Sequence, residues 1–449
     1  MLNLSSTQRR FFNAVSNMGG ISFLVGGAVI DLLEGRTPKD LDFEIFGLSF
    51  KTIERQLLLM ELPVSTVGQS FGVIKTVMDG EDIDLSLPRT ENKIGVGHTG
   101  FDVFPDPTLD VETAARRRDL TINAISVNVL TGEIVDPFNG REDLANGVLR
   151  ATDPETFVQD PLRVLRIMQL LPRKGRVVAP ETVELCRKMV NTFHELPKER
   201  VFTEWEKLLL KADRPSMGLE FLRDCGWLAH FPELSDLIGC EQNPEWHPEG
   251  DVWTHTCMVL DNAAQLRDQL PEEDRLTFML AALLHDVGKP STTTPDLSAH
   301  GHDAAGVPLA VSFLERMTNN SRLMQDVPNL VGLHMRPGQL TSSNAGDGAW
   351  KRLSRKVDMN VLGFLSKADS AGRTGRNVMT DVHRPSELCF EWAQWEEFEP
   401  ILKGRDLLAL GLTPGPVFGE ILNFAFELQM DGNENREELL SLCRREFSF

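Results

Sequence analysis

From about residue 20 to residue 150 the chain switches between two hydrophobic periods. Ile21 to Val25 is a short apolar run, followed by Gly26 and Gly27 and a helix-like stretch to Leu33. Leu41 to Ile45 alternates in the manner of a strand, as does Ile83 to Leu87. This pattern predicts a small domain of mixed strands and helices. From about residue 155 the period becomes helical. Leu162, Leu165, Ile167, Leu170 and Leu171 recur at roughly helical intervals, and so do Trp205, Leu208 and Leu209. The stretch after Pro385 also reads as helical, with a Gly/Pro turn from Gly411 to Gly415. There are no repeats or low-complexity tracts. The expected class is α+β. A mixed head occupies 1–150, followed by a helical neck at 151–240, a histidine-rich region at 241–385 and a helical tail at 386–449.

Composition narrows this little. The 449 residues leave room for two to four domains of roughly 100–200 residues each. Hydrophobic content of 41% and charged content of 25% are those of an ordinary soluble protein. No apolar run approaches the roughly 18 residues that span a bilayer. The start, Met1 to Ser6, lacks the basic and apolar regions of a signal peptide. A cytoplasmic location without membrane association is the expectation; oligomeric state is not legible. The six cysteines are scattered without a CxxC pair, which argues against a disulfide framework and a thiolate zinc site. A net charge of −20 disfavours nucleic acid on average. Local basic clusters and bound metal ions can reverse that locally. The chain has no tyrosine, which removes one common base-stacking residue.

Chemistry enters first between Phe23 and Asp31. Gly26 and Gly27 lie between a predicted strand and a predicted helix, where glycine lets backbone N–H groups approach a phosphate. A tight strand-to-helix turn would use the same pair. Asp40 and Asp42 follow at the start of the next strand, where alternation puts both carboxylates on one face. Side by side they repel unless a cation lies between them, and they suit Mg²⁺. A solvated strand edge is the other reading. Asp82-Ile83-Asp84 repeats the pattern, and Asp84 can bring a third carboxylate. Arg116 to Ala124 (RRRDLTINA) sets guanidinium forks beside Asp119 and Asn123, a combination suited to phosphate oxygens and internal orientation. Asp160 opens a helix and Arg163 lies one turn on, so the pair can offer an acceptor and donors to a base edge. Arg173, Lys174, Arg176, Lys198 and Arg200 are candidate RNA phosphate contacts, or simply a solvated basic face.

In order along the chain these motifs resemble those of the class II tRNA nucleotidyltransferase (CCA-adding) and bacterial poly(A) polymerase family. LVGGAV with DLD is similar to its first catalytic motif and RRDLTINA to its second. Asp136 to Leu144 resembles its hinge motif, QDPLRVLR its nucleotide-selecting EDxxR helix, and Pro197 to Val201 with Glu204 its neck motif. The resemblance implies a polymerase-β-like head that adds CMP and AMP to tRNA 3′ ends from CTP and ATP. It implies Mg²⁺ at Asp40 and Asp42, with Asp84 among the catalytic carboxylates. Gly26, Gly27, Arg118, Asp119, Asn123, Asp160, Arg163 and Arg166 would hold the nucleotide. Two positions depart from the family: Ile30 stands where Arg is usual, and Gln159 where Glu is usual. A poly(A) polymerase, an enzyme adding only A or only CC, and a phosphohydrolase with an impaired head are the alternatives.

Six of the ten histidines lie between His247 and His334. His255 is followed one helix later by His285-Asp286 at the end of an apolar run, and then by His302, His334 and Asp369. An adjacent His-Asp at the end of a buried helix is costly unless satisfied, and a divalent metal satisfies it. The set resembles the HD phosphohydrolase superfamily. That implies His255, His285, Asp286 and Asp369 as ligands of a transition metal or Mg²⁺, with His302 and His334 completing a second position. Lys289 is placed to steady a phosphate.

Overall fold

The computed structural model describes residues 2–38, 40–65, 72–93, 101–374, 384–395 and 399–449. It divides into two units, one of residues 1–212 and 217–230, the other of 213–216 and 231–449.

The first unit is built on a mixed sheet. Helix α1 (Ser6–Asn17) starts at a capping box in which Ser5 and Gln8 satisfy each other's backbone N–H. Strand β1 (Ile21–Val25) leads through the glycine pair into α2 (Gly27–Leu33), then β2 (Leu41–Phe46), α3 (Phe50–Leu59), β3 (Val73–Met78) and β4 (Glu81–Ser86). Strands β5 (Arg89–Lys93) and β6 (Phe101–Pro105) form a separate antiparallel ribbon. Helix α4 (Val111–Arg116), β7 (Ser126–Asn128) and β8 (Ile134–Val135) complete the sheet region, whose strand order is β3-β4-β2-β1-β7-β8. Only β2 and β4 run parallel in it. The remaining elements of this unit are α5 (Gly140–Asn146), β9 (Val148–Leu149), α6 (Pro154–Phe157), α7 (Leu162–Lys174), β10 (Val177–Val178), α8 (Pro180–Lys188), α9 (Lys198–Lys211) and α10 (Ser216–Asp224).

Alternation along β2 separates two faces. Phe43 and Ile45 join Phe11, Phe12, Ile53 and Leu57 in the core under α1 and α3. The Phe12 and Phe43 rings lie 4.6 Å apart. Phe46 turns to the opposite face, where it meets Phe23, Val25 and Ala114 of α4. Asp42 and Glu44 share that second face by register.

The second unit is helical among its described residues. It runs α11 (Pro232–Ser235), α12 (Val252–Leu266), α13 (Glu272–Leu284), α14 (Lys289–Thr292), α15 (His302–Glu315), α16 (Ser321–Leu333), α17 (Arg336–Ser342), α18 (Asp347–Ser354), α19 (Met359–Ala371), α20 (Arg384–Ala393), α21 (Gly404–Ala409), α22 (Pro416–Met430) and α23 (Arg436–Phe447). The end of α13 is buried all round, from Thr277 to Leu284, which is why its sequence shows no polar stripe. Leu407, Ile421, Leu439 and Cys443 form a smaller core for the last three helices. The expected α+β class with a long helical body is what the fold shows. Among the described residues no helix is long and apolar enough to cross a membrane.

Candidate functional sites

In the head, strand pairing gathers the carboxylates. Val25 of β1 pairs with Asp42 of β2, and Asp42 pairs in turn with Asp84 of β4. Asp84 pairs with Lys75 of β3, whose ammonium is 3.0 Å from the Asp84 carboxylate. Gly26 bends the chain with φ of +70°, and a Cβ there would stand 3.7 Å from Asp42 Oδ2. That left-handed conformation is one that favours glycine. Burial, then the charges of Asp84 and Asp40, push the Asp42 carboxyl above its ordinary range, against the pull of Arg118 and Lys75. A cation placed between Asp42 and Asp84 would relieve the repulsion between these like charges.

One strand turn along, Glu44 is only 3% exposed. It accepts hydrogen bonds from Arg117 (2.9 Å) and Arg118 (3.1 Å). Burial opposes its ionisation, but the two guanidinium groups hold it below the usual range. Glu44 thus fixes Arg118 beside the carboxylates. It was not among the expected site residues, although its spacing from Asp42 puts it on the same strand face.

Asp119 is buried. It accepts from Asn123 Nδ2 (2.9 Å), from Leu120 N (2.9 Å) and from Arg166 Nε (2.6 Å). Burial works against its charge, yet Arg166 and Asn123 bring it down to about 2. These three expected residues form one network. Arg163 is 9% exposed and turns inward, donating to the carbonyls of Thr156 (2.8 Å) and Arg117 (2.6 Å). Asp160 accepts from Leu162 N at 3.0 Å and lies 3.8 Å from Arg200.

Ile30 is buried, 1% exposed. The cations beside Asp31 come instead from Lys174 of α7 (2.9 Å) and Arg36 (3.1 Å). Lys174 also meets Glu34 at 2.8 Å, so its charge is held inside the fold. Arg173 bonds Gln169, Lys198 is half-buried, and Arg176 is exposed.

In the second unit four histidines are anchored in the same way. Each Nδ1 is hydrogen-bonded to a fixed acceptor: His255 to Glu249 (2.8 Å), His285 to Ala282 O (2.9 Å), His302 to Ala299 O (2.7 Å) and His334 to Val331 O (2.7 Å). A donating Nδ1–H leaves the Nε2 lone pair as the free end, and all four Nε2 atoms converge on Asp286. His285 Nε2 is 3.2 Å from Asp286 Oδ2 and His302 Nε2 is 3.3 Å from Oδ1. His334 and His255 Nε2 are each 3.8 Å from that carboxylate. His255 Nε2 also meets Asp369 Oδ1 at 3.0 Å. His302 and His334 Nε2 face each other at 3.2 Å, which two lone pairs tolerate only with a cation or proton between them. His285 Nε2 is buried without a hydrogen-bond partner, and Asp286 Oδ2 is ion-paired with Lys289 Nζ at 2.7 Å. The donors therefore fit divalent metal. Three such groups of possible ligands occur among the described residues: His247 with Glu249 and His255, His255 with His285 and Asp286, and Asp286 with His302 and His334.

Charges around the cluster are tuned by contact. Burial opposes ionisation of Glu249, but bonds from His255, the backbone and His247 hold it at about 2. Burial lowers His255, and its bonds to Asp369 and Glu249 outweigh that, raising it to about 8. Burial and the His285 charge push His334 down to about 4. Arg373 binds Asp369 Oδ2 at 2.9 Å and Gln242 binds Lys289 Nζ at 2.7 Å. Gly288 is required because a Cβ would stand 2.0 Å from His302 O. Arg373 pairs with Asp369 at i,i+4 spacing, and Glu249 bonds His247 and His255 two and six residues away; Gln242 is brought to Lys289 across 47 residues. A cavity of about 330 Å³ opens over Asp286, His302, His334, Asp369, Lys289 and Arg373.

Comparison with known families gives three matches. The poly A polymerase head domain matches residues 22–150, a probable RNA and SrmB-binding site of polymerase A matches 177–238, and the HD domain matches 252–371. Among solved structures, the chain is similar to the Bacillus stearothermophilus CCA-adding enzyme in complex with CTP, with 19% identity, 99% of each chain covered and a TM-score of 0.66. It is also similar to the Thermotoga maritima CCA-adding enzyme complexed with tRNA, with 17% identity, 99% of this chain and 96% of that chain covered, and a TM-score of 0.61. At these identities the likeness is one of fold.

Proposed function

We propose that the chain, which carries a poly A polymerase head domain and an HD domain, is a member of the CCA-adding enzyme and poly(A) polymerase superfamily and adds CMP and AMP without a template to tRNA 3′ ends, from CTP and ATP. The observation that carries this reading is the strand register that sets Asp42 beside Asp84 at the Gly26 bend, with Arg118 held close by Glu44. Residues 1–150 serve as the transferase head, 151–240 as the RNA-binding neck, 241–385 as the HD domain and 386–449 as the tail. The location is cytoplasmic.

The terminal 3′-oxygen bonds to the α-phosphorus as the bond to pyrophosphate breaks; pyrophosphate leaves and the hydroxyl proton passes to water. Asp40, Asp42 and Asp84 would hold Mg²⁺, whose charge eases both the attacking and the leaving oxygen. Gly26 and Gly27 let the phosphates reach the backbone. Arg118 contacts the triphosphate, held in place by Glu44. Asp119, with Asn123 and Arg166, keeps the arginine run and α7 in position. Asp160 presents its carboxylate to the base, and Arg163 fixes the backbone around it. Transcripts ending before the first C, after CC, and without a tail test the reading. All should be completed to CCA when CTP and ATP are both present. A run of A on every transcript would make it a poly(A) polymerase, and extension of the CC-ended transcript alone would make it an A-adding enzyme.

A second activity is favoured by the four Nε2 atoms converging on the buried Asp286 carboxylate: metal-dependent phosphohydrolysis in the HD domain. A divalent metal there would activate water for attack on phosphorus. Lys289 and Arg373 neutralise the phosphate, and Glu249 keeps His255 in the ligating tautomer. Hydrolysis of 2′,3′-cyclic AMP with Ni²⁺, Mn²⁺ or Mg²⁺ is the assay; no turnover with any metal would refute this activity.

A further inference from the structure

Among the residues that line the HD cavity is an exposed indole that phosphate chemistry does not use. Trp246 is 61% exposed, and of the large exposed hydrophobic side chains among the described residues it is the one that lines this cavity. It is not on a loose tip. Trp246 N and His247 N both donate to Asn243 O, at 3.1 and 2.8 Å, and Asn243 Oδ1 accepts from Glu245 N at 2.9 Å. The next residue, His247, is tied to Glu249 at 2.8 Å, the carboxylate that also anchors the ligand His255. The backbone that carries the indole is therefore held next to the metal cluster by two short links. Lys289 and Arg373, the cations of the cavity, share it with Trp246.

Inorganic phosphate would need only the cations and the ligands. A cavity of about 330 Å³ lies at the lower end of the roughly 300–1,000 Å³ typical of small-molecule sites. An indole kept in water beside a phosphate site is an available π-face, and every nucleobase can stack on one. We propose that Trp246 is the base-stacking platform of the HD cavity, so that the site takes a nucleotide with its phosphate at Lys289 and Arg373 and its base on the indole. The proposal rests on the phosphohydrolase reading of that domain. Stacking without base-edge bonds makes the site tolerant of all four bases, with purines ahead of pyrimidines.

The test uses the full chain loaded with Mn²⁺, comparing wild type with Trp246→Ala and Trp246→Phe. Binding of adenosine 3′-monophosphate is followed by equilibrium dialysis, and turnover of 2′,3′-cyclic AMP and of base-free glycerol 2-phosphate by phosphate or product release. Trp246→Ala should weaken nucleotide binding about tenfold or more, raise KM for cyclic AMP with little change in kcat, and lower the selectivity for cyclic AMP over glycerol 2-phosphate. Trp246→Phe should restore most of the loss. Equal nucleotide binding by wild type and Trp246→Ala, or none by either, overturns the proposal. Absence of turnover in the wild type on both substrates refutes the hydrolase reading instead, and the dialysis result still decides the role of Trp246.

Discussion

At the residue scale, ionised groups in this protein are set by what faces them. Asp42 is raised by the reduced hydration around it and by Asp84, while its side chain stays open to solvent, so a cation can reach it and relieve the repulsion. Asp42→Asn should abolish nucleotide addition while leaving the melting temperature equal or higher. Mg²⁺ should raise the melting temperature of the wild type and not that of the variant. Asp119 is the opposite case. Its folded carboxyl sits at about 2 against an ordinary 3.8, worth about 2 kcal/mol. Because the folded value is depressed, that stability is fully present above about pH 4 and is lost as pH falls towards 2. Asp119→Asn should therefore lower unfolding free energy by about 2 kcal/mol at pH 7 in urea melts, with the difference from wild type shrinking between pH 4 and pH 2. Ile30, where the family resembled usually has Arg, removes a cation either from beside the triphosphate or from a pairing with Asp31; its side chain is core. Lys174 and Arg36 already face Asp31. Ile30→Arg should cost about 3 kcal/mol, seen as a lower melting temperature, rather than restore activity.

At the scale of elements, close approach decides the sites. The last turn of α13, the start of α14 and the first residue of α15 meet where Gly288 leaves no room for a side chain. Gly288→Ala should drive α14 from α15 and separate His285-Asp286 from His302. Retained Mn²⁺, measured after dialysis, should fall along with phosphohydrolase activity. Glu249 acts from a loop on α12. Glu249→Gln should weaken metal affinity about 10- to 100-fold and, because the depressed Glu249 carboxyl is held by His255 and His247, also lower the melting temperature at pH 7. The strands of the head were legible where alternation was strong, as in Leu41–Phe46. Strand β3 carries regular alternation of burial, but Lys75 and Thr76 interrupt its apolar run. The two-residue strands β8, β9 and β10 are too short for any period to show, and only their pairing makes them strands.

At the scale of the whole molecule, each site is assembled from residues of one unit with its own core. Asp286→Asn should abolish hydrolysis of cyclic AMP yet keep CCA incorporation within about twofold, as for independent sites; Asp42→Asn should do the reverse. Both activities failing together in Asp286→Asn would mean the sites are coupled. The sequence by itself determined what local chemistry dictates: the glycine bend, the DxD pairs, the arginine run, the His-Asp doublet and the change from mixed to helical period. Each depends on residues a few positions apart, whose geometry a strand or helix repeats faithfully. Tertiary structure decided what depends on contacts across tens or hundreds of residues. It set Asp42 against Asp84, gave Arg117 and Arg118 the buried Glu44, turned Arg163 inward, bound Lys174 to Asp31, and brought Asp369 to His255, His302 to His334 and Gln242 to Lys289. Charges buried in a fold must find partners wherever the chain brings them, and no spacing rule records that search.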